Sequence, residues 1–269
     1  MRVREGAIGQ YPCLIAGDGP PLVMLAGLLP EAGVSPGPMR RTHEQALQPW
    51  TRGRRVFYVN RRVGLPTGLS MRALADEHAF ALQDAFDEPV DVLGVSTGGS
   101  IAQQLAADHP TVVRRLLLIS TACRLGRAGR AAQRRVAARV RAGAPRQALA
   151  VAAAELVPPW RGRHLAALLA WTFGVRLFGA QDLRDLATTI EAEDEFDLAM
   201  CPTVRSPTLL IAGGRDRFYE TELFEETARL IPGCRLSLHP ERGHITVTAI
   251  PRTIAEGLGF LGADVPGRS

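Results

Sequence analysis

Lysine is absent from this sequence of 269 residues, so all 32 of its basic side chains are arginines. The absence excludes sites whose chemistry needs a lysine amine: a phosphate-binding P-loop, a protein-kinase active site, an internal Schiff base with pyridoxal phosphate and a serine–lysine dyad. The net charge is only +5, and no nucleic-acid-binding motif accompanies it. We therefore expect no nucleic-acid partner.

Cysteine is scarce as well, and the chain has four: Cys13, Cys123, Cys201 and Cys234. Their spacing matches no metal-binding motif, so we expect reduced side chains that pack in the interior. The sequence has no His-x-x-x-His pattern for a catalytic metal, and the glycines within residues 94–99 do not fit the pattern of a dinucleotide site. The sequence therefore implies no metal and no cofactor.

Long apolar runs are also missing. None is long enough to span a membrane, and residues 1–5 contain no apolar core of a secretion signal. The chain length and the hydrophobic content of 46% are sufficient for one domain with a sizeable core. These features predict a soluble, cytoplasmic protein without linkers or internal repeats.

Ser96 stands in the most informative stretch of the sequence, where an apolar run at residues 90–95 leads into Gly-x-Ser-x-Gly. Gly94 and Gly98, two residues before and after the serine, permit a turn too tight for a side chain at those positions. The residues that follow, 100–107, have the pattern of a helix. A strand, a tight turn and a helix in this order hold a serine exposed at the end of a sheet, so Ser96 is the candidate nucleophile.

This pattern resembles the α/β-hydrolase family, in which a nucleophile, an acid and a histidine follow one another along the chain, each after a strand of the sheet. The apolar run at residues 208–212 leads to Asp216, which the resemblance makes the acid. The next strand-like run, at residues 234–239, is followed by a loop containing His244, which the resemblance makes the base. The resemblance covers about residues 22–261, with the middle third matching only in being helical.

The expected chemistry needs all three groups. A serine hydroxyl is a weak nucleophile unless an imidazole takes its proton during the attack, and a carboxylate must hold that imidazole in one tautomer. His239 is an alternative base. It closes the preceding strand, however, and we expect it to pack at the sheet edge, so the position in the chain favours His244.

Four other acidic residues are alternatives to the predicted acid. Asp91 opens its strand rather than closing it, which places it at the wrong edge of a parallel sheet. Asp194 and Glu195 lie in a helical region and are expected to be solvated charges, although a displaced acid there stays open as an alternative. Asp18 lies between two glycines and is most simply a turn residue.

The resemblance also implies an oxyanion hole made of two backbone N–H groups. One belongs to Thr97, the residue after the nucleophile, and the other to Leu28, in the loop after a strand at residues 22–25. The family often has His-Gly at the start of this loop, whereas this chain has Ala26-Gly27. Because the donor is a backbone group, the departure concerns the rigidity of the loop more than the chemistry.

A second departure from the family follows the predicted strand at residues 55–60. The family tends to have an acidic residue before Arg-Gly at this point, and this chain has Asn60-Arg61-Arg62. Two interpretations stay open: both arginines are structural, or one of them faces the substrate.

Strand and helix patterns alternate through most of the sequence. They predict the α/β-hydrolase fold, a mostly parallel central sheet flanked by helices. The alternation stops at residues 121–204, where helical segments are broken at glycines and prolines. We expect residues 1–120 and 205–269 to form the hydrolase core and residues 121–204 to form a helical lid.

Local signals also predict helix ends in the core. Ser70 is a plausible N-cap of a helix near residues 70–86, and Pro251 suits the first turn of the last helix. In the lid segment, four aromatic side chains are candidates for lining a substrate pocket: Trp160, Trp171, Phe173 and Phe178. The alternative is that they form the core of the lid itself.

Seven arginines lie among alanines and valines in one predicted helical stretch: Arg127, Arg130, Arg134, Arg135, Arg139, Arg141 and Arg146. A solvated basic face is the simplest interpretation of this stretch. The alternative is an anionic partner, such as a coenzyme A phosphate, an acidic carrier domain or a membrane surface.

Together these features predict a serine hydrolase that cleaves a carboxylic ester or lactone of a small acyl substrate through an acyl-enzyme on Ser96. A thioesterase acting on coenzyme A or carrier-bound acyl groups is an alternative, as is cleavage of a carbon–carbon bond in a diketone. Epoxide hydrolases and dehalogenases are disfavoured because those relatives have aspartate at this position. Outside enzymes, the alternative is a ligand-binding protein that keeps the fold without turnover.

Overall fold

The computed structural model describes residues 2–156, 162–178 and 183–262. Eight strands form one sheet: β1 (Arg4–Ile8), β2 (Tyr11–Ala16), β3 (Pro21–Leu25), β4 (Arg55–Val59), β5 (Val90–Val95), β6 (Val113–Ile119), β7 (Thr208–Gly213) and β8 (Arg235–His239). The described residues also form nine α-helices: α1 (Gly37–Leu47), α2 (Met71–Ala85), α3 (Thr97–Asp108), α4 (Arg127–Arg141), α5 (Pro145–Leu156), α6 (Arg163–Phe178), α7 (Arg184–Asp194), α8 (Thr221–Leu230) and α9 (Pro251–Gly262).

The sheet has the strand order β1-β2-β4-β3-β5-β6-β7-β8. The hairpin β1–β2 and the pair β2–β4 are antiparallel, and every pair from β4 to β8 is parallel. Along the chain, β4 is added on one side of β3 and β5 on the other, so the direction of winding changes at β3. In open α/β sheets the crevice at such a switch point is where ligands bind. The loops after β3 and β5 meet at this crevice.

The sheet separates two hydrophobic cores. Along β6, Leu116 and Leu118 belong to one core, while Leu117 and Ile119 belong to the other. Successive strand side chains point to opposite faces, so a strand covered on both faces must be apolar at every position. The continuous apolar runs of the central strands follow from this burial, and the predicted α/β-hydrolase fold with its mostly parallel sheet is confirmed.

Two predicted helix starts are confirmed. The Ser70 hydroxyl oxygen accepts a hydrogen bond of 3.2 Å from the backbone N–H of Ala73, which is the expected N-cap of α2. Helix α9 begins at Pro251, where the missing N–H group of proline leaves no intrahelical bond unmade.

Helices α4 to α7 lie between β6 and β7 in the chain, where the sequence predicts the helical lid. They have a hydrophobic core of their own, to which Val136, Leu149 and Ile190 contribute from three different helices. The described part of the chain therefore contains the expected helical insertion. Its boundaries at residues 121 and 204 and its role as a lid stay predictions.

None of the helices that the structure describes has the length and apolar content needed to cross a bilayer. The four cysteines are free, with Cys13 and Cys123 buried and Cys201 and Cys234 partly exposed.

Candidate active site

Ser96 sits in a strained turn between β5 and α3. Its backbone has φ 51° and ψ −123°, a left-handed conformation that side-chain-bearing residues rarely adopt. A β-carbon on Gly94 would lie 2.6 Å from Gly99 Cα, and one on Gly98 would lie 2.3 Å from the Leu25 carbonyl oxygen. Both glycines are therefore required by close backbone packing, which holds the serine at the carboxyl end of the sheet.

The structure brings the three predicted catalytic side chains into one hydrogen-bonded chain. His244 Nε2 lies 3.0 Å from Ser96 Oγ, and His244 Nδ1 lies 2.8 Å from Asp216 Oδ2. The Asp216 side chain is fully buried, and that of His244 is 11% exposed. With Nδ1–H donating to the carboxylate, Nε2 is left to accept the serine proton.

Further hydrogen bonds fix the two partners of the serine. Asp216 Oδ1 accepts from the backbone N–H groups of Phe218, at 2.8 Å, and Tyr219, at 3.3 Å. The Ser120 hydroxyl, after β6, donates to the His244 carbonyl oxygen at 2.8 Å, and the Phe218 ring lies 4.7 Å from the imidazole. Because both oxygens of Asp216 have donors, the carboxylate is held in the orientation that a tautomer-fixing acid needs.

The predicted oxyanion-hole residues flank Ser96. Thr97 is the first residue of α3, so its N–H belongs to the unpaired first turn of a helix. The loop after β3 passes close to the same point: a β-carbon on Gly27 would lie 3.4 Å from Ser96 Cβ. Leu28 follows Gly27 and lines the cavity beside the serine. Donation by Thr97 and Leu28 to an oxyanion stays a prediction.

Ser96 and His244 open into a cavity of about 930 Å³. Core residues such as Met24 and Tyr58 line one side of it, and residues of the helical insertion, such as Val136 and Leu149, line the other. Most of the lining side chains are apolar. A neutral, apolar group is the ligand that such a wall accommodates with least loss of hydration.

The predicted pocket aromatics divide into three cases. Phe173 lines the cavity, whereas Trp171 does not and instead lies under the Arg146 guanidinium, 5.6 Å from its carbon. Two positions apart on α6, these residues point to different sides of the helix, so Trp171 lies outside the lining, and substrate contact by either residue stays a prediction. Trp160 lies outside the described residues, as does the side chain of Phe178.

The alternative base and acids lie away from this chain of hydrogen bonds. His239 is buried at the end of β8, and its Nε2 lies 3.5 Å from Glu256 Oε2. Asp91 is buried at the opposite end of β5, where it pairs with Arg54 at 2.5 Å and Arg114 at 2.7 Å. Asp91 therefore has structural partners, and His239 packs at the sheet edge near Glu256, as their positions in the chain predict.

The two arginines after β4 are held by structural contacts. Arg61 is buried and donates to the Pro30 carbonyl oxygen at 2.7 Å. Arg62 forms a two-pronged ion pair with Glu77, with distances of 2.7 and 2.8 Å. Neither residue lines the cavity beside Ser96. These contacts support the interpretation that both are structural.

The arginine-rich face of α4 is paired with acidic residues of the insertion itself. Arg134 lies 2.7 Å from Asp194, Arg135 lies 2.8 Å from Glu155, and Arg141 pairs with Glu191 at 2.5 Å. Arg130 also approaches Asp194, at 3.4 Å. Four arginines of this stretch are thus paired within the insertion, and nothing in the described residues supports the predicted anionic partner. Asp194 is an ion-pair partner rather than a fully solvated charge, while Glu195 is exposed.

Sequence reasoning missed Glu193, the neighbour of those two acids. It is fully buried on α7, and its oxygens accept hydrogen bonds from Thr97, Ser100, Gln133 and Tyr219. Burial raises the pKa of Glu193, while these hydrogen bonds oppose the rise. Three acidic residues in succession at 193–195 gave no sign of which one faces the interior.

In the described residues, no group of three or more His, Cys, Asp or Glu side chains is arranged to hold a metal ion.

The chain matches a protein-family model and is similar to several solved structures. A model of the alpha/beta hydrolase family matches residues 48–256. The chain is similar to the enol-lactonase from Burkholderia xenovorans LB400, with 19% identity and a TM-score of 0.69 over 97% of this chain and 100% of that chain. It is also similar to the esterase EaEST from Exiguobacterium antarcticum, with 18% identity and a TM-score of 0.70 over 96% and 98% of the two chains.

A third similar structure is the meta-cleavage product hydrolase CumD from Pseudomonas fluorescens IP01, with 16% identity and a TM-score of 0.65 over 96% of this chain and 97% of that chain. At these identities the likeness to the three structures establishes the fold alone.

Proposed function

We propose that this chain, which belongs to the alpha/beta hydrolase family, is a serine hydrolase that cleaves a carboxylic ester or lactone through an acyl-enzyme on Ser96. One observation carries the proposal: the continuous hydrogen-bonded chain from Asp216 through His244 to Ser96, at the wall of an apolar cavity. A serine in this arrangement can be deprotonated during attack, and no other group in the chain of bonds is needed for that step.

The reaction would proceed in two halves. Ser96 Oγ attacks the ester carbonyl carbon while His244 Nε2 takes its proton, and the tetrahedral oxyanion is stabilised by the N–H groups of Thr97 and Leu28. The protonated imidazole then gives that proton to the leaving alcohol, and the acyl group remains on the serine. Water repeats the sequence with His244 as base, which releases the acid and restores the serine. Asp216 holds the imidazole throughout.

The cavity supports an apolar acyl group as the substrate. Apart from Ser96 and His244, its lining is formed mainly by side chains such as Met24, Leu149 and Phe173. Buried apolar area contributes about 25 cal/mol per Å². Longer or bulkier apolar acyl groups should therefore bind more tightly until the cavity is filled.

We also propose a cytoplasmic location, which the four free cysteines support because a reducing compartment keeps thiols free.

Carbon–carbon bond cleavage and thioester hydrolysis are the two enzymatic alternatives. The same three side chains serve both, and the similar structures include an esterase, an enol-lactonase and a meta-cleavage product hydrolase. The thioesterase alternative has less support because four of the arginines that would hold coenzyme A phosphates pair with acidic residues of the insertion. Among the described residues, the lining is mainly apolar and includes no arginine, which favours a neutral ester or lactone.

A substrate panel with a covalent probe tests the proposal. Purified protein should hydrolyse neutral esters or lactones, react with a fluorophosphonate at one serine, and cleave acyl-coenzyme A and vinylogous diketones poorly. The variant Ser96→Ala should lose the label and several orders of magnitude in turnover, because the three side chains act as a unit. Full labelling of that variant would show that another residue is the nucleophile. Absence of both labelling and turnover in the wild-type protein would favour a ligand-binding protein.

A further inference from the structure

Glu193 is an acidic residue with no exposed surface that lies beside the candidate site. Its Oε1 accepts from the hydroxyls of Ser100, at 2.8 Å, and Tyr219, at 3.4 Å. Its Oε2 accepts from the Thr97 hydroxyl, at 2.7 Å, and from the Gln133 amide, at 2.9 Å. A single buried group on α7 thus receives four donors from three other parts of the chain.

The four donors lie next to the groups that the proposed mechanism uses. Thr97 follows the nucleophile directly, and Ser100 lies in the same first turn of α3. Tyr219 belongs to the loop whose N–H groups hold Asp216, and its ring centre is 5.9 Å from that of His244. Gln133, on α4, lines the cavity. Glu193 therefore touches the turn of the nucleophile, the loop of the acid and the wall of the cavity at once.

A carboxylate is the side chain best suited to this position. All four donors are uncharged, and an ionised carboxylate offers about four acceptor sites and no donor. When ionised, the carboxylate places its charge at the N-terminal turn of α3, where the helix dipole stabilises an anion. An amide of the same shape replaces one acceptor oxygen by an NH₂ group. Two of the four donors then have to rotate or move.

We propose that Glu193 is a positioning residue for the candidate oxyanion hole: it fixes the first turn of α3, and hence the Thr97 N–H, through the hydroxyls of Thr97 and Ser100. The inference rests on the proposed hydrolase function. An oxyanion-hole donor acts only within about 2.7–3.1 Å of the developing charge. A displacement of about 1 Å in a site of this kind can cost about 100-fold in rate. Because the effect is on the transition state, kcat should fall while KM stays.

Glu193→Gln and Glu191→Gln form the matched pair for the test. Both glutamates are on α7, but Glu191 pairs with Arg141 at the protein surface. We expect Glu193→Gln to lower kcat for the best ester about 10- to 100-fold, with KM within about threefold of wild type. The rate of fluorophosphonate labelling should fall in parallel. Glu191→Gln should stay within about twofold in both measurements.

Variants at Thr97 give a second route that does not depend on the folding of the Glu193 variant. Thr97→Val removes the hydroxyl and keeps the shape, so it should lower kcat as Glu193→Gln does. Thr97→Ser keeps the hydroxyl, so it should lose less kcat than Thr97→Val. If Thr97 and Glu193 act through one contact, the double variant Glu193→Gln/Thr97→Val should lose no more kcat than the more impaired single variant.

Three results would overturn the inference. They are an unchanged kcat in Glu193→Gln or Thr97→Val, a rise in KM without loss of kcat, and losses that multiply in the double variant. These results are distinct from a failure of the proposed function itself. If the wild-type protein neither hydrolyses an ester nor reacts with the fluorophosphonate, both proposals fall together. If the wild-type protein is active and Glu193→Gln equals it, only the role of Glu193 is refuted.

Discussion

His244 Nε2 lies 3.0 Å from Ser96 Oγ, although 148 residues separate the two in the chain. The contact exists because the loops after parallel strands emerge at one edge of the sheet. Ser120 directly follows β6, and its hydroxyl donates to the backbone carbonyl oxygen of His244.

The backbone strain at Ser96 should lower the free energy of unfolding by a measurable amount. Glycine adopts φ 51° without steric cost, and a residue held in such a region costs about 1–3 kcal/mol. Glycine also loses more conformational entropy on folding, so the net gain should be about 1 kcal/mol. Ser96→Gly should therefore exceed Ser96→Ala in the free energy of unfolding, measured in urea. Equal stability of the two variants would show that the turn is unstrained.

The two histidines at the end of the last strand should behave differently. His244→Ala should lose as much ester turnover as Ser96→Ala, because the serine proton then has no acceptor. His239→Ala should keep most of its turnover and lose some stability, since this side chain is buried near Glu256 rather than near the serine. Steady-state kinetics and thermal melting of both variants check this pair. An inactive His239→Ala with an active His244→Ala would reverse the assignment.

Two buried aspartates should separate catalysis from stability. Asp216→Asn should lower kcat by about 10⁴-fold, because an amide no longer fixes the required imidazole tautomer. Asp91→Asn should lower the free energy of unfolding by about 3 kcal/mol, since it weakens a buried ion-pair cluster around Arg54 and Arg114. Its kcat per folded molecule should be unchanged. A stable Asp91→Asn with impaired kcat would contradict the structural role of Asp91.

Phe173 and Trp171 offer a matched pair for the substrate pocket. Phe173→Ala should raise KM for esters with large apolar acyl groups by about tenfold or more, because the side chain lines the cavity. For acetyl esters the effect should be small. Trp171→Ala should alter neither, because Trp171 lies outside the lining, under Arg146. A KM profile over acyl size for the two variants and wild type provides the measurement, and equal effects would place both side chains at the substrate.

The exposed pair between Arg134 and Asp194 should contribute little. Arg134 is 63% exposed at 2.7 Å from its partner, and pairs of this kind are worth about 1 kcal/mol or less. Arg134→Gln should leave ester turnover unchanged, and it should leave KM for an acyl-coenzyme A unchanged at low and at high salt. A salt-dependent rise of that KM would instead identify an anionic partner on α4.

The nucleophile turn was predictable because its determinants are local. Gly94, Ser96 and Gly98 lie within five residues, and their requirement for close backbone packing can be read from the order of strand, turn and helix. The N-cap at Ser70 and the helix start at Pro251 are local in the same sense. The assignment of Asp216 and His244 followed from the order of catalytic residues in the family. The distances that join their side chains to each other and to Ser96 came only from the structure.

The sequence by itself determined the α/β alternation, the strained serine turn and the candidate groups at the strand ends, because strand and helix periodicity act over a few residues. Tertiary structure decided which of the acids at 193–195 faces α3. Successive side chains point about 100° apart around a helix, so a small rotation of α7 would bring a different acid towards α3. It also decided that Phe173, not Trp171, lines the cavity. Both outcomes depend on how α6 and α7 dock, and docking depends on packing between residues far apart in the chain.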